Sequence, residues 1–219
     1  MISIAPVIVL SVATRVQARR VELATQAAKS YVDGVRTGAI VTPNSVVVLS
    51  PTDPLALQKV SQVAAPDPTL NLATICQPPA LNTTNFYCQN PPRLLPSTTQ
   101  ASLYCINLNG DEKGCAKKSS KAFVVQAFRS IAPVSALTPN LPKISDDGSG
   151  GYLLAVRVYR ADGFDGTPFN TSQALDGKKV RTYAGGRGDL KSPLVETTTE
   201  IRGSGTSWQS LCTRLGGCK

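Results

Sequence analysis

The chain begins with an apolar stretch that runs directly into an amphipathic helix. Residues 2–13 carry no charge, and Pro6 is the only interruption of their helical pattern. As a helix these residues would extend about 18 Å, which is shorter than the ~30 Å hydrocarbon core of a bilayer. We therefore expect them to be the second half of a helix that spans a membrane or packs in a filament. The packing residues would be Ile4, Pro6, Val7, Ile8, Val9, Leu10 and Val12.

The amphipathic part of this helix has two distinct faces. Polar residues recur at spacings of four and three, at Arg15, Arg19, Glu22, Gln26, Lys29, Asp33 and Arg36. The opposite face carries Val21, Ala24, Ala28, Tyr31 and Val35. This pattern predicts a helix with one side in water and the other against a globular body. Gly38, followed by Pro43, predicts where the helix ends.

Two other interpretations of the N-terminal segment are open. An ordinary amphipathic helix of a soluble domain would leave the apolar lead-in exposed on all sides, without a reason for it. A secretory signal needs basic residues before its apolar region and small residues after it. Ser11, Val12 and Ala13 could form such a small-residue site, but the nearest basic residues, Arg15 and Arg19, follow the apolar stretch.

From Ile40 onward the apolar pattern changes to a period of two, which is typical of strands. Strands are predicted at residues 46–49, 102–108, 122–129, 152–160 and 194–202. No helices lie between them to form parallel crossovers, so we expect the strands to be antiparallel. The chain is thus predicted to be α+β, with a helix over residues 1–38 and a β-rich head over residues 39–219.

A proline-rich segment separates the first predicted strand from the second. Residues 51–101 carry prolines at 51, 54, 66, 68, 78, 79, 91, 92 and 96. Such a density favours a long irregular excursion, with room for one short helix at residues 55–64.

Six cysteines lie in three local pairs, Cys76 with Cys88, Cys105 with Cys115, and Cys212 with Cys218. An even number grouped in this way favours disulfides and an oxidising compartment, although sequence alone leaves other pairings open. The chain has no histidine and no C-x-x-C pair, so no zinc site is expected.

The chain is basic, with 23 Lys and Arg against 14 Asp and Glu, a net charge of +9. The charges are dispersed, with no polybasic tail and no aromatic-interleaved basic strand, so nucleic acid is not an expected partner. A positive surface suits an anionic partner such as an acidic polysaccharide or lipid headgroups. A basic solvated surface without a partner accounts for the composition equally well.

Catalysis is not expected. Without histidine there is no imidazole base for a serine or cysteine nucleophile. No nucleotide-binding or cofactor motif is present, so no cofactor is predicted. Paired carboxylates could be drawn from Asp162, Asp165, Glu196 and Glu200, but sequence does not bring any two of them together.

The loop at residues 162–166, DGFDG, has the composition of a calcium loop. Its ligand order does not match an EF-hand, because the glutamate at the twelfth position is missing. A plain turn is the simpler interpretation, and no metal site is predicted.

Residues 2–38, ISIAPVIVLSVATRVQARRVELATQAAKSYVDGVRTG, resemble the N-terminal helix of type IV pilins and pseudopilins. In that family a basic leader and a motif like G-F-T-L-I-E precede a long apolar helix with a proline near its middle. The similarity is strongest to cyanobacterial pseudopilins of hormogonium polysaccharide secretion. The leader, cleavage glycine and acidic residue of the family would lie before Met1, so none can be placed on this chain.

The resemblance implies a structural, minor pilin-like subunit of a type IV pilus-related secretion system that supports polysaccharide export and gliding motility. Its partners would be other pilin-like subunits, through the helix, and the inner membrane in a full-length form. It would be located in the inner membrane and periplasm or in a cell-surface filament. The alternative is a secreted or periplasmic module that binds a glycan or protein through the proline-rich loop. Aromatic residues make up only 5%, with one tryptophan, Trp208, which offers little stacking surface for sugars.

Overall fold

One long helix and a six-stranded sheet form the described part of the chain. The structure is a computed structural model that describes residues 5–48, 63, 65–77, 85–88, 102–108, 114–115, 121–131, 151–169, 190–203 and 208. The helices are α1 (Ala5–Thr37) and the short α2 (Leu72–Ile75). The strands are β1 (Val46–Val48), β2 (Asn85–Tyr87), β3 (Ser102–Asn107), β4 (Ala122–Ile131), β5 (Tyr152–Arg160) and β6 (Val195–Ile201).

Helix α1 has 33 residues and is therefore about 50 Å long. It ends before Gly38, as predicted, because Gly38 adopts a φ of 76° that few other residues tolerate. The chain then turns back, and the Ile40 amide donates to the Gly34 carbonyl at 2.9 Å. A Cβ on Gly34 would lie 2.5 Å from Cδ1 of Ile40, so glycine lets this side chain cover the end of the helix.

Five strands form an antiparallel sheet in the order β2-β3-β4-β5-β6, and β1 joins β4. The α+β class is confirmed, but the prediction of a purely antiparallel sheet was wrong for β1, which pairs parallel to β4. β3 begins at Ser102, which faces Ala127 of β4. β1 pairs with β4 on the same side but further along, where Val46 faces Arg129. The connection between β1 and β4 is far longer than the roughly dozen residues that a parallel crossover needs.

The proline-rich segment holds more regular structure than the sequence indicated. Strand β2 and helix α2 both lie within it, and neither was predicted. The short helix predicted at residues 55–64 lies outside the described residues, apart from Val63. The strand predicted at Tyr152–Arg160 has the predicted bounds, whereas β4 extends two residues further than predicted, to Ile131.

The sheet is covered on both faces. On one face α1 packs over β4, β5 and β6, and the sheet contributes Tyr104, Ile106, Phe123, Val125, Ala127, Tyr152, Leu154, Val156, Val158 and Ile201. On the other face, residues from α2 and from the loop after β5 pack against a second core. This second core contains Leu72, Phe86, Leu103, Val124, Tyr159, Phe164 and Phe169. Burial on both faces explains why β5 is apolar along most of its length.

Candidate functional site

Residues 11–20 of α1 lie outside the core of the head. None of them is buried, and Ala24 is the first buried residue among the side chains of α1 that the structure describes. We call the helical segment from Ala5 to Arg20, which is about 24 Å long, the rod. Val12 is 57% exposed and Val16 is 45% exposed, and at a spacing of four they lie on the same side of the rod. The rod thus presents an apolar strip to its surroundings.

The structure places the predicted packing residues from Pro6 to Val12 on this rod. Val12 is exposed, and Pro6, Val7, Ile8, Val9 and Leu10 belong to α1, although their side chains are outside the described ones. Ile4 also lies outside the described residues. Among the residues that the structure describes, no helix combines the length and apolar character needed to cross a membrane.

A basic collar, formed by Arg15, Arg19 and Arg20, flanks the apolar strip at Val16 and lies between Val12 and the part of α1 that packs on the head. Arg15 and Arg19 are exposed, and Arg20 is half-buried. No acidic residue precedes Glu22 in the chain. The collar therefore concentrates positive charge at this end of the rod, next to the point where α1 meets the sheet.

The predicted head-facing residues lie against the sheet. Ala24, Ala28, Tyr31 and Val35 belong to the core beneath α1, and Val21 is half-buried at its edge. Ala27 and Val32 are buried as well, which the sequence did not predict. A helix lying flat on a sheet buries a stripe wider than one residue per turn. The buried alanines let the helix axis approach the sheet closely.

A cluster of three tyrosines anchors α1 at the β2–β3 edge of the sheet. The ring centroid of Tyr31 lies 5.1 Å from that of Tyr104, which in turn lies 4.9 Å from that of Tyr87. The Tyr87 hydroxyl contacts the Val41 carbonyl at 2.5 Å and must donate its only proton there. Tyr31 is therefore the donor in its 2.7 Å contact with the Tyr87 hydroxyl. The cluster ties the helix, the edge strand and the chain after the helix together.

Burial controls the ionisation of this cluster. Loss of solvation, followed by the proximity of the Tyr87 hydroxyl, raises the pKa of Tyr31 well above its ordinary value. Loss of solvation on burial also raises the pKa of Tyr87.

A second contact holds α1 at the opposite edge of the sheet. Nη2 of Arg36 donates to Oγ1 of Thr199 on β6 at 2.6 Å. The helix is thus held at both edges of the sheet.

Two disulfides lie in the second core. Cys76, at the end of α2, is bonded to Cys88, which follows β2, and Cys105 on β3 is bonded to Cys115. All four cysteines are buried. Cys212 and Cys218 lie outside the described residues. One disulfide thus attaches α2 to the end of β2, and the other attaches the chain at Cys115 to β3. Disulfides indicate an oxidising, extracytoplasmic compartment for the head.

Ion pairs within the head are described for Asp162, Asp165 and Glu196, which the sequence offered as carboxylates for catalysis. Asp162 pairs with Arg160, and Asp165 pairs with Lys191. Glu196 accepts from Nε of Arg157 at 2.9 Å, while Nη1 of Arg157 donates to the Val63 carbonyl at 2.6 Å. Glu200, the fourth, is on β6 beside Leu153 of β5.

Arg157 is the centre of a polar row on the second face of the sheet. Gln126, Arg157 and Glu196 are direct neighbours across β4, β5 and β6. Gln126 and Arg157 are buried, and the Arg157 guanidinium lies 5.5 Å from the centroid of the Phe128 ring. Through the Val63 carbonyl this row holds part of the proline-rich segment on the sheet.

The loop at residues 162–166 was considered for calcium. Within the described ranges, no group of three or more His, Cys, Asp or Glu side chains is arranged to hold a metal ion. The Asp165 carboxylate instead contacts the ammonium group of Lys191.

Sequence reasoning missed the contacts made by Tyr87, Arg157 and Lys191. Each of the three joins segments that are far apart in the chain, so local periodicity carries no signal for them. A weak signal existed for Arg157, since a charged residue within an otherwise apolar strand usually has a partner when the strand is buried. None existed for Lys191, which follows a glycine-rich and basic segment.

Comparisons with models of known protein families, with curated proteins and with solved structures find no match for this chain.

Proposed function

We propose that this chain is a structural, pilin-like subunit of a type IV pilus-related secretion apparatus and that it has no catalytic role. The observation that carries the proposal is the unburied part of the rod at residues 11–20, with Val12 and Val16 exposed on one side. A helix that ended at the edge of its head would serve folding alone. This helix continues about 24 Å further with an apolar strip, which is a surface suited to another helix.

The strength of the strip can be estimated. Full burial of a valine side chain contributes roughly 1.5 kcal/mol or more, so the two half-exposed valines together supply on the order of 2 kcal/mol. Association of two molecules in solution costs at least ~4 kcal/mol. Val12 and Val16 alone therefore do not hold copies together. Assembly also needs the apolar residues before Val12, or confinement of the subunits in a membrane.

The basic collar fits a membrane-anchored subunit. From Arg15 to Arg20 it extends about 8 Å along the helix axis, and the headgroup layer on each side of a bilayer is ~5–8 Å thick. With the apolar residues before Arg15 in the hydrocarbon core of the inner membrane, in a longer form of the chain, the collar would lie among the headgroups. Its positive charge favours anionic lipids.

The resemblance of residues 2–38 adds a biological setting to this proposal. It suggests a minor subunit in a cyanobacterial filament or secretion complex that supports polysaccharide export and gliding of hormogonia. The net charge of +9 would favour contact with an acidic polysaccharide. The disulfide-stapled head would face outward from the packed helices.

The assembly role is tested by removing the strip. We expect the chain to self-associate or to require detergent, and we expect deletion of residues 1–13 to yield a soluble monomer in sedimentation velocity. The double variant Val12→Ser and Val16→Ser should weaken association in the same direction. Val41→Ser is the matched control, since Val41 is 72% exposed but lies after the helix. Equal association of the deletion variant and the intact chain would contradict the proposal and favour a glycan- or protein-binding module.

A further inference from the structure

The loop after β5 encloses the ammonium group of Lys191. Nζ of Lys191 donates to the Gly163 carbonyl at 2.6 Å and to the Thr167 carbonyl at 3.0 Å. It also donates to Oδ1 of Asp165. The side chain of Lys191 is largely buried, and its ammonium group lies 5.2 Å from the centroid of the Phe169 ring. Among the described residues, three oxygen atoms and one aromatic ring therefore lie around this cation.

The loop holds these oxygens in place through its own hydrogen bonds. Oδ1 of Asp165 accepts from the Thr167 amide at 2.9 Å and from the Thr167 hydroxyl. The Asp165 amide donates to the Gly163 carbonyl at 3.0 Å. The hydrogen bond from Lys191, followed by those from Thr167, lowers the pKa of Asp165 well below its usual range. The carboxylate is therefore ionised at neutral pH.

Close packing brings Lys191 to the loop. A Cβ on Gly163 would lie 2.6 Å from the Leu190 carbonyl oxygen, so only glycine allows the chain before Lys191 to approach this closely. The Phe169 ring is fixed by neighbouring rings, with centroids at 4.8 Å for Phe164 and 4.9 Å for Tyr159. Gly163 and Phe169, which lie on two sides of the Lys191 ammonium group, are thus both buried in the head.

We propose that residues 163–169 form a binding site for a primary ammonium group, and that Lys191 is the ligand built into the chain. A primary ammonium group has three N–H donors, and Gly163, Asp165 and Thr167 present three acceptors. The ring of Phe169 is a favourable neighbour for an alkylammonium cation.

The oxygen atoms of this loop suit an ammonium group better than a calcium ion. Calcium takes about six to eight oxygen ligands, whereas this loop directs one carboxylate oxygen and two carbonyl oxygens at the cation. The bridge joins the loop after β5 to the chain before β6, where the Leu194 amide donates to the Val158 carbonyl at 2.8 Å. Lys191 thus joins these two segments as a bound metal cation could. We therefore expect the stability of the head not to depend on dissolved metal ions. This inference does not depend on the assembly role.

The test replaces the built-in ligand with one from solution. Lys191→Ala removes the atoms that n-propylammonium would restore, and we expect a decrease in Tm of about 3–6 °C. Added n-propylammonium should raise the Tm of this variant saturably, with no such effect on the intact chain. Tetramethylammonium, which has the charge but no N–H group, and sodium chloride at equal ionic strength serve as controls. Lys29→Ala is the matched variant, because Lys29 is exposed on α1.

Equal effects of n-propylammonium and tetramethylammonium on Lys191→Ala would overturn the proposal. So would a specific rise in the Tm of the intact chain on addition of calcium. If Lys191→Ala does not fold, the intact chain provides the test by nitrogen-15 NMR of its lysine ammonium groups. One slowly exchanging ammonium signal is expected, coupled to the Asp165 carboxylate and lost in Lys191→Met. The absence of any protected ammonium signal would also overturn the proposal.

Discussion

The hydroxyl group of Tyr31 lies 2.7 Å from the hydroxyl group of Tyr87, across 56 positions of sequence. This contact joins α1 to the edge strand β2, and Tyr87 passes the connection on to the Val41 carbonyl. The Tyr87 hydroxyl has one proton and donates it to the Val41 carbonyl, so Tyr31 must be the donor in its hydrogen bond with Tyr87. Helix α1 is therefore fixed to the head by a directed chain of two hydrogen bonds as well as by apolar packing.

The direction of this chain predicts an order of mutational effects. Tyr31→Phe removes one donor and leaves Tyr87 bonded to Val41, so it should cost about 1 kcal/mol. Tyr87→Phe leaves both the Tyr31 hydroxyl and the Val41 carbonyl without this partner, so its cost should be larger. Tyr31→Ala adds a cavity under α1 and should cost about 3–5 kcal/mol. Urea unfolding measures all three, and a larger loss for Tyr31→Phe than for Tyr87→Phe would reverse the proposed direction.

The buried tyrosines predict a loss of stability at alkaline pH. Burial raises the pKa of Tyr159 to about 12, and it raises the pKa of Tyr31 and Tyr87 above the ordinary 10.0. A raised pKa in the folded state stabilises fully below the unfolded value, and this contribution is lost as the pH rises through the folded value. The urea midpoint should therefore fall progressively above pH 10.

Ultraviolet absorption of tyrosinate gives an independent check, since the buried groups should titrate later than in unfolded chain. The variant Tyr159→Phe serves as the control, and its urea midpoint should depend less steeply on pH. Titration of all tyrosines in a single step near their ordinary pKa would contradict the burial described for them.

The buried disulfides should resist reduction in the folded state. The bridges close segments of 12 and 10 residues, for which the chain-entropy estimate is about 3 kcal/mol each. All four sulfur-bearing side chains are buried, so a reductant should reach them only after the head opens. Labelling of the thiols at Cys76, Cys88, Cys105 and Cys115, assigned by peptide mass, should be slow with dithiothreitol alone and fast once urea is added. Rapid labelling without urea would show that the second core opens locally.

The basic collar should bind anionic vesicles. Each arginine near such a surface contributes about 1 kcal/mol, so Arg15→Gln together with Arg19→Gln should weaken binding roughly 30-fold. The matched control is Lys29→Gln with Lys121→Gln, which removes the same charge from exposed positions on the head side. Flotation with phosphatidylglycerol vesicles measures the effect, and phosphatidylcholine vesicles report the apolar part alone. Equal losses for the two double variants would assign the effect to net charge and contradict a role for the collar.

Periodicity predicted the parts of the fold in which one face of an element is buried. The head-facing side of α1 from Val21 to Val35 followed from spacing, because burial and repeat coincide there. The bounds of β5 followed instead from a nearly continuous apolar run, since both faces of this strand are buried. β2 was missed because three residues between prolines are too short to show alternation. The parallel pairing of β1 was also missed, since alternation marks a strand without marking its neighbour.

The candidate site was predictable to a similar extent. An apolar segment that precedes an amphipathic helix indicated an exposed rod, and the structure leaves residues 11–20 unburied. The Lys191 enclosure could not be predicted, because two of its three oxygens belong to the backbone, at Gly163 and Thr167. Carbonyl groups are common to all residues, so only the folded loop shows where they converge.

The two described bridges have a consequence for how such a head matures after export. Each half-cystine finds its partner no more than 12 positions away, and both pairs precede β4 in the chain. Loops of this length close in about 10–100 ns, far faster than translocation supplies new residues. A thiol oxidase can therefore form both disulfides before the C-terminal strands have been exported. Few intermediates with wrongly paired cysteines are then expected from these four residues.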